Sequence, residues 1–409
     1  MIDTNFPCKG KENWIATIRP SGGTPGKENS VKTDLTNLSA PEIKNVIAVS
    51  DSLVQVYLNE NIGPKELQIE NMSMLPHLEI ESIEFTSLGF EELNFLLNTN
   101  IKPKTNYELT IKNLADCSGN IQKATSFSFA LPENADSLDI LINEILFNPW
   151  PDGVDFVELY NQSEKIIDLH SIRIGNDELN PITEEHIIME PKQHMTITEN
   201  PNILNNHYPG INQKNILKSI NIPPFNDNEG NVILADDNGN QLDFFHYEDS
   251  FHSSFLNDTE GVSLERISYE NPTNNPNNWQ SAASTSGFAT PGEVNSQLLL
   301  SRVENEEITI EPKVFAPGNT GFHDFANIKR WFSSSGNMAS IWILDATGRK
   351  IKTITSHQSI GAEEDFKWEG LDDNGQEVRM GPYIVFLEIY NSSGMKRPYR
   401  KKIVVGHQF

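Results

Sequence analysis

Apolar and polar residues alternate with a period of two along much of the chain. Val54, Val56 and Leu58 are separated by Gln55 and Tyr57, and Leu93, Phe95 and Leu97 follow the same rule, as do Tyr107, Leu109 and Ile111. Successive side chains of a strand point to opposite faces, so this pattern predicts strands with one buried face. The run EELNFLL reads as a strand rather than a helix, because its odd positions carry the apolar face and Asn94 interrupts a helical stripe. DCSGN, Asp116 to Asn120, is a turn cluster before a last strand near 125–130. From Pro41 to Ala130, short strands at regular spacing predict a β-sandwich, about seven strands in all.

The pattern continues in two further blocks. ILINEILFNPWPDGVDFVELYNQSEKIIDLHSIRI opens the first, followed by HMTITENP, FNDNEGNVILADDNGNQLDFFHY and GVSLERI. The second contains ITIEPKVF, ASIWILDATGRKI, FKWEGLDDNGQEV, GPYIVFLEIYNSSG and a final KKIVVG. Asp345-Ala346-Thr347-Gly348 and Asp373-Asn374-Gly375 read as hairpin turns between apolar strands. The fold class expected for the whole is all-β.

One stretch occurs twice. NWIATIRPSGGTPGKENS, residues 13–30, matches NWQSAASTSGFATPGEVNS, residues 278–296. Trp14 pairs with Trp279, Thr24-Pro25-Gly26 with Thr290-Pro291-Gly292, and Asn29-Ser30 with Asn295-Ser296. Residues 1–30 therefore read as the end of a preceding domain whose complete copy lies later, and the chain as a piece of a longer one. The domains expected are 1–30, 31–136, 137–296 and 297–409, with a polar linker at 31–40 and a short acidic one around Glu304–Glu307.

Composition narrows the function. Lys plus Arg is 31 and Asp plus Glu is 57, a net charge of −26, and a field of that sign repels phosphate backbones, which disfavours nucleic acid as a partner. No run of about 18 apolar residues is present, so no membrane insertion by a helix is expected. No signal peptide is visible after Met1. The 45 Asn, 25 Gly and 23 Pro supply many turns. Cys8 and Cys117 are too few for a disulfide scaffold or a zinc site and read as two free or buried thiols.

Catalytic signatures are missing from the sequence: no G-x-S-x-G, G-x-x-x-x-G-K-[ST], H-E-x-x-H or G-x-G-x-x-G occurs. No catalytic, cofactor-binding or metal-binding residue is assigned, and the chain is expected not to be an enzyme. The ten histidines are scattered, and His186 and His194 show no partner at a useful spacing. Glu144, Asp155 and Glu158 are the carboxylates with a functional reading, a Ca²⁺ or general-acid site. Their structural reading has Glu144 and Glu158 bonded to loop backbone at the sandwich rim and Asp155 solvated, and it is preferred. Asp236-Asp237-Asn238-Gly239-Asn240 and Asp372-Asp373-Asn374-Gly375 resemble Ca²⁺ loops but lack the closing Glu, so type I′ hairpin turns are expected. Lys396, Arg397, Arg400, Lys401 and Lys402 are either a polyanion patch or sorting determinant, or charges that keep a final strand from pairing edge to edge, the latter preferred. Trp14 and Trp279 are expected to plug the sandwich ends; Trp150, beside two prolines, is the tryptophan weighed for an exposed contact such as sugar stacking, a reading that is not preferred.

These motifs carry resemblances. KPKTNYELTIKNLADCSGNIQ resembles the Ig-like modules of bacterial S-layer and other cell-surface proteins, over about 90 residues. Five motifs in order over residues 137–296 resemble a bacterial lamin tail domain, itself an Ig-like β-sandwich. Trp368, Gly370, Asn374-Gly375, Gly381 and Tyr383 resemble the Ig-like domain of flagellar hook-capping proteins and the gliding-associated and sorting modules of secreted Bacteroidetes proteins. The resemblances imply a string of Ig-like β-sandwich domains. They also imply a non-catalytic, extracellular or cell-surface structural or adhesion protein, with type IX secretion as its context. Its partners would be other surface proteins or extracellular polymers. Two alternatives stay open: accessory modules of a surface hydrolase whose catalytic domain lies upstream, and a carbohydrate-binding module.

Overall fold

The structure is a computed structural model. It describes residues 2, 13–32, 40–60, 62, 67–85, 92–116, 119–299, 307–318, 323–332, 334–391 and 395–406. Cys8, Cys117 and most of the expected acidic linker lie outside the described residues. The chain is all-β and divides into two units: Met1–Asn134 with Glu164–Leu169 and Glu185–Glu190, and Ala135–Ser163 with His170–Glu184 and Pro191–Phe409.

In the first unit the alternating positions form two sheets. One runs in the order Ile43–Ser50, Leu53–Leu58, Glu92–Leu97, Ile80–Phe85; the other runs Met72–Leu75, Tyr107–Ala115, Ile121–Phe129. Glu92–Leu97 is a strand, with Leu93, Phe95 and Leu97 buried and Glu92, Asn94 and Leu96 half-buried. Val54, Val56, Phe95 and Leu109 lie in one core cluster with Tyr107 and Phe129. A two-stranded piece, Ile167–Asp168 with Ile188–Met189, also belongs to this unit. The Asn45 side chain donates to the His186 carbonyl at 2.8 Å.

The second unit contains two sandwich-forming sets of strands. The first pairs a six-stranded sheet with a four-stranded one. The six-stranded order is Ile216–Lys218, His194–Thr198, Phe156–Asn161, Ile140–Leu146, Leu264–Arg266, Trp279–Ser281. The four-stranded order is Asn180–Pro181, Ile172–Gly175, Glu229–Asp236, Gln241–Glu248. Strands Ile140–Leu146 and Phe156–Asn161 are buried at every position, so the six-stranded sheet is covered on both faces. The second set is a three-stranded sheet, Glu307–Glu311, Ala326–Trp331, Glu363–Trp368, with a five-stranded one, Val314–Phe315, Lys396–Val405, Gly381–Tyr390, Asn337–Asp345, Lys350–Ile360. Trp368 lies at its centre, 1% exposed, edge-on to Phe315 and Tyr383.

The hairpin turns differ from expectation in type. Type I′ needs positive φ at both central residues, yet Gly239 (φ +81°) and Gly375 (φ +75°) are left-handed while Asn238 and Asn374 are not. The reason is the preceding aspartate. Asp236 Oδ1 accepts from the N–H of Asn238 and of Asn240 at 2.9 and 2.8 Å. Asp372 Oδ1 does the same with Asn374 and Gln376, both at 2.9 Å. Each aspartate thereby holds the first half of the turn right-handed and leaves the last position to glycine. Asp345 with Gly348 repeats the device, and Asp116 Oδ1 likewise accepts from the Asn120 N–H, which follows the left-handed Gly119. Gly375 has no heavy atom within 4 Å of where a Cβ would stand. Gly375→Ala should therefore cost only the left-handed strain, about 1 kcal/mol, read as a lower denaturation midpoint with unchanged slope; a neutral result would contradict this turn.

Candidate functional site

Strand alternation and register set three glutamates in one row. On the six-stranded sheet Glu265 stands opposite Glu144 and Glu144 opposite Glu158, with Thr196 next in line. All three carboxyls are 0% exposed. Like charges facing each other across strands destabilise a sheet, and a buried carboxylate needs hydrogen-bond donors. A bulge between Ile142 and Glu144 allows Asn143 to join the row, and its Nδ2 donates to Glu158 Oε1 at 2.8 Å. Thr196 Oγ1 donates to Glu158 at 2.8 Å, and the Gly292 N–H also bonds it. Glu144 accepts from Ser263 Oγ and from the Thr290 N–H at 2.9 Å. Glu265 accepts from Ser296 Oγ at 2.7 Å and the Gln297 N–H at 2.8 Å.

Thr290 ties two carboxyls of the row together. Its hydroxyl oxygen lies 3.1 Å from Glu144 Oε2 and 2.8 Å from Glu265 Oε1. A hydroxyl has one hydrogen to give, so the two contacts are met either by sharing it or by a protonated carboxyl that donates back to the threonine oxygen. Burial favours the protonated form: it raises the pKa of all three glutamates, Glu158 to about 8, and their mutual repulsion adds to it.

Most of these donors lie on residues 290–297, which act as a closing segment over the row. Asn295 Nδ2 donates to the carbonyls of Asn143 and Arg266, each at 2.9 Å. Trp279 leads into the segment, stacked on Phe245 at 3.8 Å, with its indole N–H on the Thr273 carbonyl at 2.7 Å. Arg266, fully buried, donates to the Ile142 carbonyl at 2.8 Å, and its guanidinium is 3.4 Å from Asp243. The same segment joins the following sandwich. Ser296 O accepts from Ala362 N at 2.7 Å, Gln297 Nε2 donates to Ile360 O at 3.2 Å, and Gln297 Oε1 accepts from Gly336 N at 2.9 Å. Ser284 N donates to Ser359 Oγ at 2.8 Å. The last two sandwiches are thus bonded to each other, where the sequence suggested independent beads on a linker.

Of the carboxylates with a functional reading, Glu144 and Glu158 are brought together and Asp155 is not. Asp155 is half-buried rather than solvated. It accepts from Phe225 N at 3.2 Å and lines a cleft of about 280 Å³ with Pro149, Glu199 and Pro223. Burial raises its pKa to about 6. Asp236 and Asp372 direct their oxygens to their own turns. Trp150 is half-buried against Leu146, Phe156 and Leu204, and Gly261 lies so close to its ring that a Cβ would stand 2.0 Å from Cε2. That corrects the exposed-contact reading. Trp14 is 63% exposed and plugs nothing, whereas Trp279 is 3% exposed. His186 has a partner the spacing concealed, Asp168, with Nδ1 2.6 Å from Oδ2. His194 Nε2 is 3.0 Å from Tyr269 Oη, and burial lowers its pKa to about 4. Lys396, Arg397, Arg400, Lys401 and Lys402 lie on Lys396–Val405, whose outer edge is paired, among the described residues, only at Val404 and Val405. Glu265, Asn143 and Thr290 were not picked out as site residues from the sequence, although Thr290 stands in the repeated Thr-Pro-Gly.

Each carboxyl of the row meets donors of the chain itself, and the arrangement fastens residues 290–297 over the sheet. A second cleft, about 380 Å³, is lined by Tyr208, Pro209, Ile211, Ala289 and Thr290 among others.

Unfolded glutamates titrate near 4.5, while the folded row keeps its proton to higher pH, Glu158 to about 8. This contribution to stability is complete below 4.5 and is lost as pH rises toward 8. His194 and His252, held neutral with pKa about 4, oppose it below 6.5. Between pH 6.5 and 8 the denaturation midpoint should therefore fall with rising pH, and Glu158→Gln should flatten the fall; a rising midpoint would exclude a protonated row. Thr290→Val should destabilise by roughly 1–3 kcal/mol, measured by urea denaturation. Ca²⁺ or EDTA should leave the melting temperature unchanged, because binding to the native state would raise it.

No curated protein matches the chain. Among solved structures, the N-terminal part of the bacterial S-layer protein SbsC aligns at 12% identity and TM-score 0.24, over 51% of this chain and 44% of that one. The dimeric latent PorU of Porphyromonas gingivalis aligns at 11% identity and TM-score 0.20, over 90% and 33%. CopC of Methylosinus trichosporium OB3b aligns at 16% identity and TM-score 0.19, over 26% and 97%. The chain spans about half the length of the S-layer structures it matches, 44% and 54%. Residues 133–249 match the family model of the Lamin Tail Domain, a stretch that includes Glu144 and Glu158 and stops before Glu265 and the closing segment.

Proposed function

We propose that the chain is a non-catalytic structural or adhesive part of a secreted or cell-surface protein of a Bacteroidetes-like bacterium. In this reading the last sandwich assists export or attachment, and the lamin-tail sandwich is a stiff spacer before it. The observation that carries the reading is the double use of the closing segment. Residues that satisfy the carboxyl row, Ser296 and Gln297, also bond the next sandwich. A chain that fastens one sandwich to another suits holding things at a fixed distance. Its polar groups at the row meet one another rather than a substrate, and function on such scaffolds resides in specific sites.

Antibodies raised against residues 137–296 should label intact cells of the native host without permeabilisation; labelling confined to lysed cells would overturn a surface role. Stiffness is checked at Gln297, whose amide reaches both Ile360 O and Gly336 N. Gln297→Ala should cost about 1–3 kcal/mol and split the melting of the two sandwiches into separate calorimetric transitions. A single transition at the parent temperature would argue against a stiff pair.

A further inference from the structure

The segment Asn13–Ser30 repeats Asn278–Ser296 in backbone as well as in sequence. Gly22 and Gly287 both take φ +80°, and Gly26 and Gly292 take +70° and +79°. The Gly22 N–H meets Arg19 O at 3.0 Å, as the Gly287 N–H meets Ser284 O at 3.2 Å. Lys27 N donates to Thr24 O at 3.1 Å, and Glu293 N to Thr290 O at 3.0 Å. Lys32 N donates to Asn29 O at 3.1 Å, and Leu298 N to Asn295 O at 3.2 Å. Ile18 N reaches the Ser30 hydroxyl at 3.3 Å, and Ala283 N the Ser296 hydroxyl at 2.9 Å. The loop therefore shares these turns in both places, and the later copy differs by one extra residue next to the left-handed Phe288.

What differs is what the loop meets. Trp279 is buried on Phe245, and Pro291 and Gly292 are buried over the carboxyl row. Trp14, Ile15 and Ile18 are 63%, 59% and 75% exposed, and Pro25 and Gly26 are exposed too. Thr290 bridges two glutamates, whereas Thr24 Oγ1 donates to Asn29 Oδ1 at 3.3 Å. Ser296 donates to Glu265, whereas the Ser30 hydroxyl lies 2.8 Å from that of Thr17. A preformed loop with its apolar residues outward loses little conformational freedom on docking, and a run of exposed large apolar side chains marks an interaction surface.

We propose that residues 13–30 are a closing segment for a second sandwich of the same kind, separate from this chain's own, whose groove stands open. That sandwich is identified by its chemistry. It presents a row of three buried glutamates, which take the Thr24 hydroxyl, the Gly26 N–H and the Ser30 hydroxyl, and an aromatic pocket that takes Trp14. It has room for Thr17 and Ile18 where this chain fits Ala282 and Ala283, both 0% exposed. This chain's own groove is filled by residues 278–296, so the occupant is not a second copy. The proposal rests on the loop and row geometry and is independent of the surface role.

The test is a graft into the whole chain, with Arg19–Ser30 replacing residues 284–296. Ala282 and Ala283 are kept. The graft should unfold cooperatively at least about 8 °C above a graft of the same residues in scrambled order, a gap of about 2–4 kcal/mol for a domain of this size. Adding Thr24→Val and Ser30→Ala to the graft should remove that gain, because these hydroxyls replace the ones that Thr290 and Ser296 direct at Glu144 and Glu265. A graft no more stable than the scrambled one, or one whose stability survives the loss of both hydroxyls, would overturn the proposal. Sedimentation of the parent chain over a hundredfold concentration range checks the occupant. It should stay monomeric, and a dimer abolished by Trp14→Ala would place the groove in a second copy and overturn the assignment to a separate sandwich.

Discussion

Three carboxyl groups share the dry face of one sheet, and the sandwich that contains Ile140–Leu146 and Phe156–Asn161 is arranged around that fact. Carboxylates set opposite one another across adjacent strands repel, and burial without donors costs several kcal/mol for each charge. The sheet supplies only part of the remedy, through the side chains of Asn143 and Thr196, because its N–H groups are engaged in the strand ladders. Most of the other donors come from residues 290–297, more than a hundred residues after Glu144 and Glu158, and this segment must lie across the row for the row to be tolerable. The dependence runs both ways. Thr290-Pro291-Gly292 has no regular secondary structure of its own, and its position is set by the acceptors beneath it.

That mutual requirement extends outward. The seven residues from Thr290 to Ser296 bond inward to Glu144, Glu158 and Glu265, and Ser296 continues to Ala362. The order of the second sandwich is thereby tied to the protonation of the first. Hydrophobic burial supplies most of the stability of each sandwich, while this polar line decides how they are joined.

The strands were legible because their signal is local. Val54-Val56-Leu58 and Leu93-Phe95-Leu97 need only the period of two, and every one of these residues is buried. Glu144 and Glu158 were legible as polar residues inside apolar strands. Glu265 was not, because its meaning depends on register against a strand some 120 residues earlier, which no local pattern encodes. The turn type was misjudged because Asn-Gly favours positive φ at both positions, and the aspartate two residues before captured the N–H groups that decide between the two forms. Trp14 misled for the opposite reason. Its sequence matches Trp279 closely, but burial belongs to the receptor as much as to the side chain.

Two glycines make the bonded joint readable elsewhere. A Cβ at Gly361 would stand 2.6 Å from the Ser296 carbonyl oxygen, and one at Gly336, where φ is +68°, 2.3 Å from the Gln280 amide. A side chain at Gly361 presses on the backbone of the joint and wedges the two sandwiches apart, and one at Gly336 takes a strained φ and pushes the Gln280 amide aside. In a related chain, glycine at both places would mark a coupled pair whose spacing is fixed like a ruler's, and a bulky residue at either would mark a hinge. Two letters of sequence would then separate a rigid rod from a flexible tether without a structure of either.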